Sequence, residues 1–441
     1  MHSSRSGTPT GGRTPGTSER KHVDMKPLRR VPAEDVPAVV EALRAALAGG
    51  PAVWPTDGPA TAGPPTAGPT TDRPAHWHAP AGHAPAGPVP AGHAPAEPAE
   101  VDDRVALVVE TSGSTARPKR VMLSAEALRA SAEATAERLG GHGRWLLALP
   151  AHYIAGAQVI VRALLAGHDP VVLGAAHFDA EAFVAATARL TRAAPHPAPR
   201  FTSLVPVQLG RLVDAAGGDH EHPAARALRA YSAILVGGQA LAEPLRIAAT
   251  ELGARLVRTY GSSETAGGCV YDARPLAGVL VRVADGLVEL GGPTLADGYL
   301  GDAERTAAAF LRDADGRRWY RTGDLGEIGP DGALRIRGRA DDVIISGGVK
   351  VALGEIERAV RGIPGLEHAV VVAVDDPEWG QRAAVAAAGA SVSLVRLAEA
   401  TDAAGLPPAG RPARFARLEA LPMLASGKPD RLAIVRELHS G

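Results

Sequence analysis

The chain has 441 residues, a length that suggests two to three domains. Its 47 Lys+Arg against 48 Asp+Glu leave a formal charge of −1, which argues against a general nucleic-acid binder and a polybasic membrane-surface protein. The single cysteine, Cys269, excludes a disulfide framework or a Cys-based zinc site within one chain and makes the cytoplasm the natural compartment.

Residues 1–30 are rich in Ser, Gly, Thr, Pro and Arg and are expected to form a disordered tail. They hold no apolar stretch of signal-peptide type. No run of about 18 apolar residues occurs anywhere, so no transmembrane helix is expected. Apolar residues at helical spacing predict a helix over 36–48. Residues 57–100 carry 11 prolines and 6 glycines and repeat AGHAPA at 81–86 and 91–96. They read as a low-complexity insertion. Their His76, His78, His83 and His93 fit a solvated surface better than a metal site.

From about 104, short apolar runs alternate with amphipathic stretches. Strands are predicted at 104–110, 145–150 and in PVVLG, FTSLVP, AILVGG and LVRTYG. Helices are predicted at 124–139, with Ser124 as N-cap, at 155–167, and near 179–192, 207–215 and 241–252. This alternation implies an α/β fold: mostly parallel sheets covered by helices, with ligands at the carboxyl ends of the strands. After 278, VLVRV, LVELGG and ALRIRG with turns between them predict a small antiparallel β part. Residues 343–441 read as a compact α+β piece, with strands near 343–351 and 367–374 and helices near 354–361 and 430–438.

The strongest motif is V-V-E-T-S-G-S-T-A-R-P-K-R at 108–120, after a strand and before a helix. Thr111, Ser112, Gly113, Ser114 and Thr115 offer hydroxyls and backbone N–H groups in one tight loop, and Lys119 adds a cation. Such a loop is suited to wrap phosphate oxygens, although the Walker A pattern is absent. Further motifs follow in order: Gly237-Gly238-Gln239, then Tyr260-Gly261-Ser262-Ser263-Glu264-Thr265, then Tyr320-Arg321-Thr322-Gly323-Asp324. The series ends with GRADDVIISGGVKV at 338–351 and Gly427-Lys428-Pro429-Asp430-Arg431.

Together these blocks resemble the adenylate-forming acyl-CoA synthetase superfamily over about 104–441. The resemblance implies a large N-terminal adenylation domain at 31–340 and a small mobile C-terminal domain at 341–441, hinged at Asp341. It implies ATP, Mg²⁺ and coenzyme A as reactants and cofactor. Residues 111–119 would hold the β- and γ-phosphates, and Glu264 would anchor Mg²⁺, which prefers a carboxylate plus phosphate oxygens. Asp324 would accept from the ribose hydroxyls, with Arg339 at ribose or phosphate. Gly237, Gly238 and Tyr260 would flank the adenine and acyl group, and Gly261, Ser262 and Thr265 would complete the nucleotide site. Lys428 would bridge the carboxylate and the α-phosphate during adenylation, then withdraw as the C-terminal domain turns. Gly347-Gly348 would then approach the pantetheine arm of coenzyme A.

The stretches 201–212 and 262–272 look like the o-succinylbenzoate–CoA ligase branch, which serves menaquinone synthesis. That substrate is an aromatic dianion. Ser203, Val205, Gln208, Gly267 and Gly268 are therefore pocket candidates, with Cys269 beside them, and His152 is a candidate gate beside the acyl carboxylate. Arg211 is a candidate for the distal carboxylate, and a plain surface arginine reads equally well. Only small-molecule partners are implied, with no nucleic acid and no membrane insertion; a homodimer is left open. Other aryl- or acyl-CoA ligases and a stand-alone enzyme loading a carrier protein remain the alternatives. Ala116 and Arg120 stand where the phosphate-loop pattern has glycine. Should position 116 need a positive φ, alanine costs about 1 kcal/mol or more.

Overall fold

The computed structural model describes residues 24–57, 98–111, 118–174, 178–193, 198–389, 391–424 and 428–440. Ser112 to Ala116, Gly427, the four histidines of the insertion and most of the 57–100 stretch lie outside these residues.

A seven-stranded sheet forms the centre. Its order is Arg274–Pro275, Gly267–Tyr271, Leu256–Ser262, Ala233–Val236, Arg200–Leu204, Arg144–Leu147, Val171–Val172. The five strands from Leu256–Ser262 onward pair in parallel, and the first two pair antiparallel. Ala233–Val236 is buried at all four residues, as a parallel strand covered on both faces must be. Helices Ile154–Leu165, Ala180–Ala193, Pro206–Ala216 and Glu243–Glu251 contribute the apolar cover.

A second, six-stranded sheet is mixed. Its order is Gly298–Tyr299, Lys119–Ser124, Val105–Thr111, Ala52–Thr56, Met25–Pro32, Glu100–Asp102. Only the pairs on either side of Ala52–Thr56 are parallel. Two expectations are corrected here. Residues 25–30, expected in a disordered tail, form a strand, and Glu100, the last residue of the expected insertion, pairs with it together with Val101 and Asp102. Neither segment has a strong local signal; the ladder of a central neighbour supplies the hydrogen bonds. The Ser/Thr/Gly motif also does not run directly into a helix. Lys119–Ser124 first returns antiparallel to Val105–Thr111, with Thr111 opposite Lys119. The helix then starts at Ala125, capped as expected by Ser124, whose side chain accepts from the Ala127 N–H at 3.1 Å.

The small antiparallel part is built from Leu280–Ala284, Leu287–Gly291, Arg318–Ile328, Phe310–Arg312 and Leu334–Arg339. Beyond it, Val343–Ser346, Val349–Ala352, Val370–Asp376, Gly380–Ala388 and Arg414–Leu418 form a further sheet. Its residues alternate between two cores. Val371, Ala383 and Val385 face Leu353, Ile356, Val360 and Leu397, whereas Val370, Val372, Ala384 and Ala386 face Ile434 and Leu438. The two-residue period of a strand thus buries both faces under helices. Among the described residues, no core cluster mixes side chains from before and after 341. Val343–Ser346 turns into Val349–Ala352 through Gly347 and Gly348, with φ of +56° and +81°. A two-residue hairpin with both φ positive favours glycine. A Cβ on Gly347 would also lie 2.6 Å from the Trp379 ring.

Candidate active site

Strand Arg318–Ile328 pairs with Leu334–Arg339 so that Asp324 stands opposite Arg339. The Arg339 guanidinium donates to Asp324 Oδ1 at 3.3 Å and to the Thr322 carbonyl at 3.0 Å. From the central sheet, the Tyr260 hydroxyl donates to Asp324 Oδ2 at 2.6 Å. Burial pushes the Asp324 carboxyl up, while the Tyr260 and Arg339 bonds work the other way. Asp324 therefore sits in a dry place with its geometry fixed by two donors. Arg339 also forks onto Asp341, at 3.0 Å to Oδ1 and 3.3 Å to Oδ2. That pairing holds the Asp341 carboxyl below its ordinary range. The proposed ribose arginine and the proposed hinge residue are thus joined directly.

Glu264 lies on the 3₁₀ turn Ser263–Thr265, which follows Leu256–Ser262, and is 5% exposed. The Tyr299 hydroxyl donates to its Oε1 at 2.8 Å. Among the described residues its other oxygen takes no hydrogen bond. Burial and the nearby Glu264 carboxylate raise the Tyr299 and Tyr320 phenols, so both stay protonated donors. Ala266, at φ +51°, ends the turn; its carbonyl accepts from Ser131 Oγ at 3.0 Å and Gln158 Nε2 at 2.8 Å. Two buried side chains therefore hold a left-handed alanine whose backbone aims Glu264.

Lys428 follows a loop whose Leu424 N–H donates to the Lys428 carbonyl at 2.8 Å. The residue is exposed overall, yet its ammonium is crowded by protein atoms and by the Arg339 guanidinium, which lower its pKa. Glu264 and Asp324 pull in the other direction. A cation from the C-terminal segment therefore stands within electrostatic reach of two carboxylates from two other sheets. Its pKa has a kinetic consequence. The alkaline limb of kcat/KM for acid activation is expected below the ordinary lysine value, because kcat/KM reports the free enzyme. Bound anionic phosphates and carboxylate favour the ammonium, so the limb in kcat should lie at higher pH. A pH series of acid-dependent pyrophosphate release checks both limbs. Coincident limbs near the ordinary lysine value would contradict this account.

The remaining candidates divide. Thr111 reaches the Lys119 carbonyl at 3.5 Å, and Lys119 Nζ lies 5.6 Å from the Tyr299 ring centroid, so the base of the phosphate loop abuts the Glu264 cluster. Gly237 follows Ala233–Val236, where a Cβ would come 2.3 Å from Thr259 Oγ1; no larger residue fits unless Thr259 moves. Gly238 lies close to Val205, and Gly267 close to Ile154 and Gln158. The strand pairing sets Gly261 against Gly268 and Ser262 against Gly267. Ser203 is buried on Arg200–Leu204.

Thr265 is fully buried and bonds within its own turn, donating to the Gly267 carbonyl at 2.8 Å and accepting from the Ser262 N–H at 2.9 Å. Gln208 donates to the Ala148 carbonyl at 3.0 Å and accepts from the Val205 N–H at 3.1 Å. Both are polar residues whose side chains hold backbone. Arg211 is exposed and donates to the Phe178 carbonyl at 2.8 Å. The Cys269 thiol is buried and pushed up to about 12, so it is no nucleophile at neutral pH. His152 precedes Ile154–Leu165, and among the described residues both its ring nitrogens are buried without a hydrogen-bond partner. Burial lowers its pKa, against the pull of Asp57 and Glu34. A neutral imidazole there is open to a ligand. Neither Tyr299 as a partner of Glu264 nor a role for Tyr320 is legible in the sequence motifs, because hydrogen bonds between distant segments leave no local pattern.

Among the described residues, no group of three or more His, Cys, Asp or Glu could hold a metal ion. One buried carboxylate with an open oxygen nevertheless fits Mg²⁺, which takes one or two protein carboxylates and draws its other ligands from phosphate and water.

A strand carboxylate pinned by tyrosine and arginine, a buried acid and a lysine from the C-terminal segment are the fittings of a nucleotide-dependent acid-activating enzyme. The chain belongs to the AMP-binding enzyme family, whose profile matches residues 36–300. It is 41% identical over 345 residues to the probable 2-succinylbenzoate–CoA ligase of Mycobacterium tuberculosis (strain ATCC 25618 / H37Rv), covering 76% of this chain and 85% of that one. Among solved structures it is similar to the o-succinylbenzoate CoA synthetase of Bacillus subtilis in complex with its acyl-adenylate intermediate. That match has a TM-score of 0.63 at 25% identity and covers 76% of this chain and 70% of the other. It is also similar to an amide bond synthetase from Marinactinospora thermotolerans, with a TM-score of 0.64 at 28% identity over 76% and 70% of the two chains.

Proposed function

We propose that this chain is an AMP-forming acid–thiol ligase that converts 2-succinylbenzoate, ATP and coenzyme A to 2-succinylbenzoyl-CoA, AMP and pyrophosphate, a step of menaquinone biosynthesis in the cytoplasm. A substrate carboxylate oxygen attacks the α-phosphorus, the bond to the β-phosphate oxygen breaks, and pyrophosphate leaves. The thiolate of coenzyme A then attacks the acyl carbon, and AMP leaves with the electron pair of the C–O bond.

The observation that carries this reading is the geometry of the two carboxylates: Tyr260 and Arg339 hold Asp324 at 2.6 Å and 3.3 Å, and Tyr299 holds one oxygen of Glu264 at 2.8 Å. Asp324, set by Tyr260 and Arg339, accepts from the ribose hydroxyls. Lys428 neutralises the carboxylate and phosphoryl oxygens as they approach, which is catalysis by position and charge. Mg²⁺ on Glu264 would supply charge neutralisation to the phosphates. Val205, Ser203, Gly267 and His152 line the acyl side. Residues 341–441 turn about Asp341 after adenylation, carrying Lys428 away and bringing the Gly347-Gly348 turn to coenzyme A. The similarity to ligases named for 2-succinylbenzoate supports the choice of acid.

The test measures acid-dependent pyrophosphate release with ATP and Mg²⁺ on 2-succinylbenzoate, benzoate and medium-chain acids, with free coenzyme A, a carrier protein or an amine as acceptor. Release restricted to 2-succinylbenzoate, with thioester formed on free coenzyme A, is expected. Preference for another acid, or product only on an amine or a carrier protein, would overturn the reading.

A further inference from the structure

The loop bearing Lys428 has a seat of its own. Three residues on, Arg431 opens the helix Arg431–Ser440 and donates through Nη2 to Glu357 Oε2 at 2.7 Å. Its Nη1 donates to the Val371 carbonyl. Glu357 lies on the helix Leu353–Val360 and is 9% exposed. Its Oε2 also accepts from the Val371 N–H at 3.1 Å, and its Oε1 accepts from Arg361 Nη2 at 2.8 Å. Arg361 in turn donates to the Ala369 carbonyl at 2.8 Å. One buried carboxylate therefore ties a helix, a strand and the segment that follows the lysine.

The other side of the lysine is fixed by backbone. Met423 bridges Pro429, and the Asp430 N–H donates to the Pro422 carbonyl at 2.9 Å. Asp430 then caps the helix, accepting from the Ala433 N–H at 2.9 Å. Three extended residues span at most about 11 Å, so Lys428 cannot drift far from a fixed Arg431. The hinge is linked to the same seat, since the half-buried Asp342 feels both Arg431 and Glu357.

We infer that Glu357 and Arg431 are positioning residues for adenylation: their ion pair, anchored on the buried Glu357 carboxylate, holds the Lys428 loop at the reach the first half-reaction needs. The inference rests on the role given to Lys428 above. A buried carboxylate satisfied on both oxygens holds geometry well, and losing one partner leaves the others uncompensated. A displacement of about 1 Å at a reacting group can cost on the order of a hundredfold in rate. Thioester formation uses another face of the segment, so this seat matters to one half-reaction only.

The experiment uses the full chain with Arg431→Gln, Arg431→Lys, Glu357→Gln and the control Lys428→Ala. Adenylation is read as acid-dependent ATP–pyrophosphate exchange, and thiolation as thioester formed from supplied acyl-adenylate and coenzyme A. Arg431→Gln is expected to lower exchange kcat by about tenfold to a hundredfold. KM for ATP and the thiolation rate should change by less than about threefold, and Arg431→Lys should recover part of the loss. Equal losses in both half-reactions would mark a merely structural role and overturn the inference, as would unchanged exchange. Should Glu357→Gln fail to fold, Arg431→Gln still decides, because that side chain is 37% exposed and its loss opens no cavity. Loss of exchange in Lys428→Ala with none in Arg431→Gln would sink this inference alone. A wild-type chain without exchange, or an undiminished Lys428→Ala, would sink the functional reading with it.

Discussion

Lys428→Ala is expected to lower acid-dependent pyrophosphate release by about 10²- to 10³-fold, the range for removing one charged stabiliser of a developing oxyanion. The argument is one of place. Arg339 is already committed to Asp324, Asp341 and the Thr322 carbonyl. Lys119 is placed at the phosphate loop, against the Tyr299 ring. Lys428 comes from the C-terminal segment, and the Glu264 and Asp324 carboxylates favour its ammonium form. Alanine removes the charge and the long stem of a residue that is exposed overall, so the melting temperature should stay within about 2 °C. Thioester formation from supplied acyl-adenylate should persist. Glutamine at the same position should rescue little, because the missing element is a net charge between two anions. Pyrophosphate release undiminished in Lys428→Ala would remove the lysine from the reaction.

What could be read in advance followed physical locality. Ala233–Val236 is a plain apolar run, and Ser124 is a capping side chain just before an amphipathic stretch; both signals sit within a few residues of the structure they specify. Lys119–Ser124 was missed because its polar–apolar alternation is short and abuts that strong cap, whereas its pairing partner lies across a loop. Arg318–Ile328 is polar along much of its length and exists as a strand through its neighbours on both sides. The site shows the same division. Lys428, Glu264, Asp324 and Arg339 stand in short motifs, and the fold brings them together. The bonds from Tyr260 to Asp324 and from Tyr299 to Glu264 join residues 64 and 35 positions apart. Thr265 and Gln208 show the converse. A polar side chain in a motif is not thereby free for a ligand, because a buried turn or helix start uses the same atoms for its own backbone.

Glu264→Gln separates charge from shape. The amide is isosteric and keeps an oxygen to accept from the Tyr299 hydroxyl, so the turn held by Ser131 and Gln158 should survive intact. What disappears is the buried negative charge whose second oxygen takes no hydrogen bond among the described residues. Adenylation is expected to fall by roughly a hundredfold at ordinary Mg²⁺, with part of the loss recovered as Mg²⁺ is raised, since a weakened metal site refills by mass action. The pH profile should move as well. Glu264 is one of two carboxylates that favour the protonated form of Lys428, so its neutralisation lets burial and Arg339 depress the lysine further. The alkaline limb of kcat/KM should therefore shift to lower pH in Glu264→Gln. A second variant, Tyr299→Phe, keeps the charge and removes only the donor. It should leave the alkaline limb in place while lowering the rate modestly, by about tenfold or less. Magnesium titrations and pH series on the three proteins settle the assignment: an unchanged Mg²⁺ requirement in Glu264→Gln would place the metal elsewhere, and an unmoved limb would separate Glu264 from Lys428.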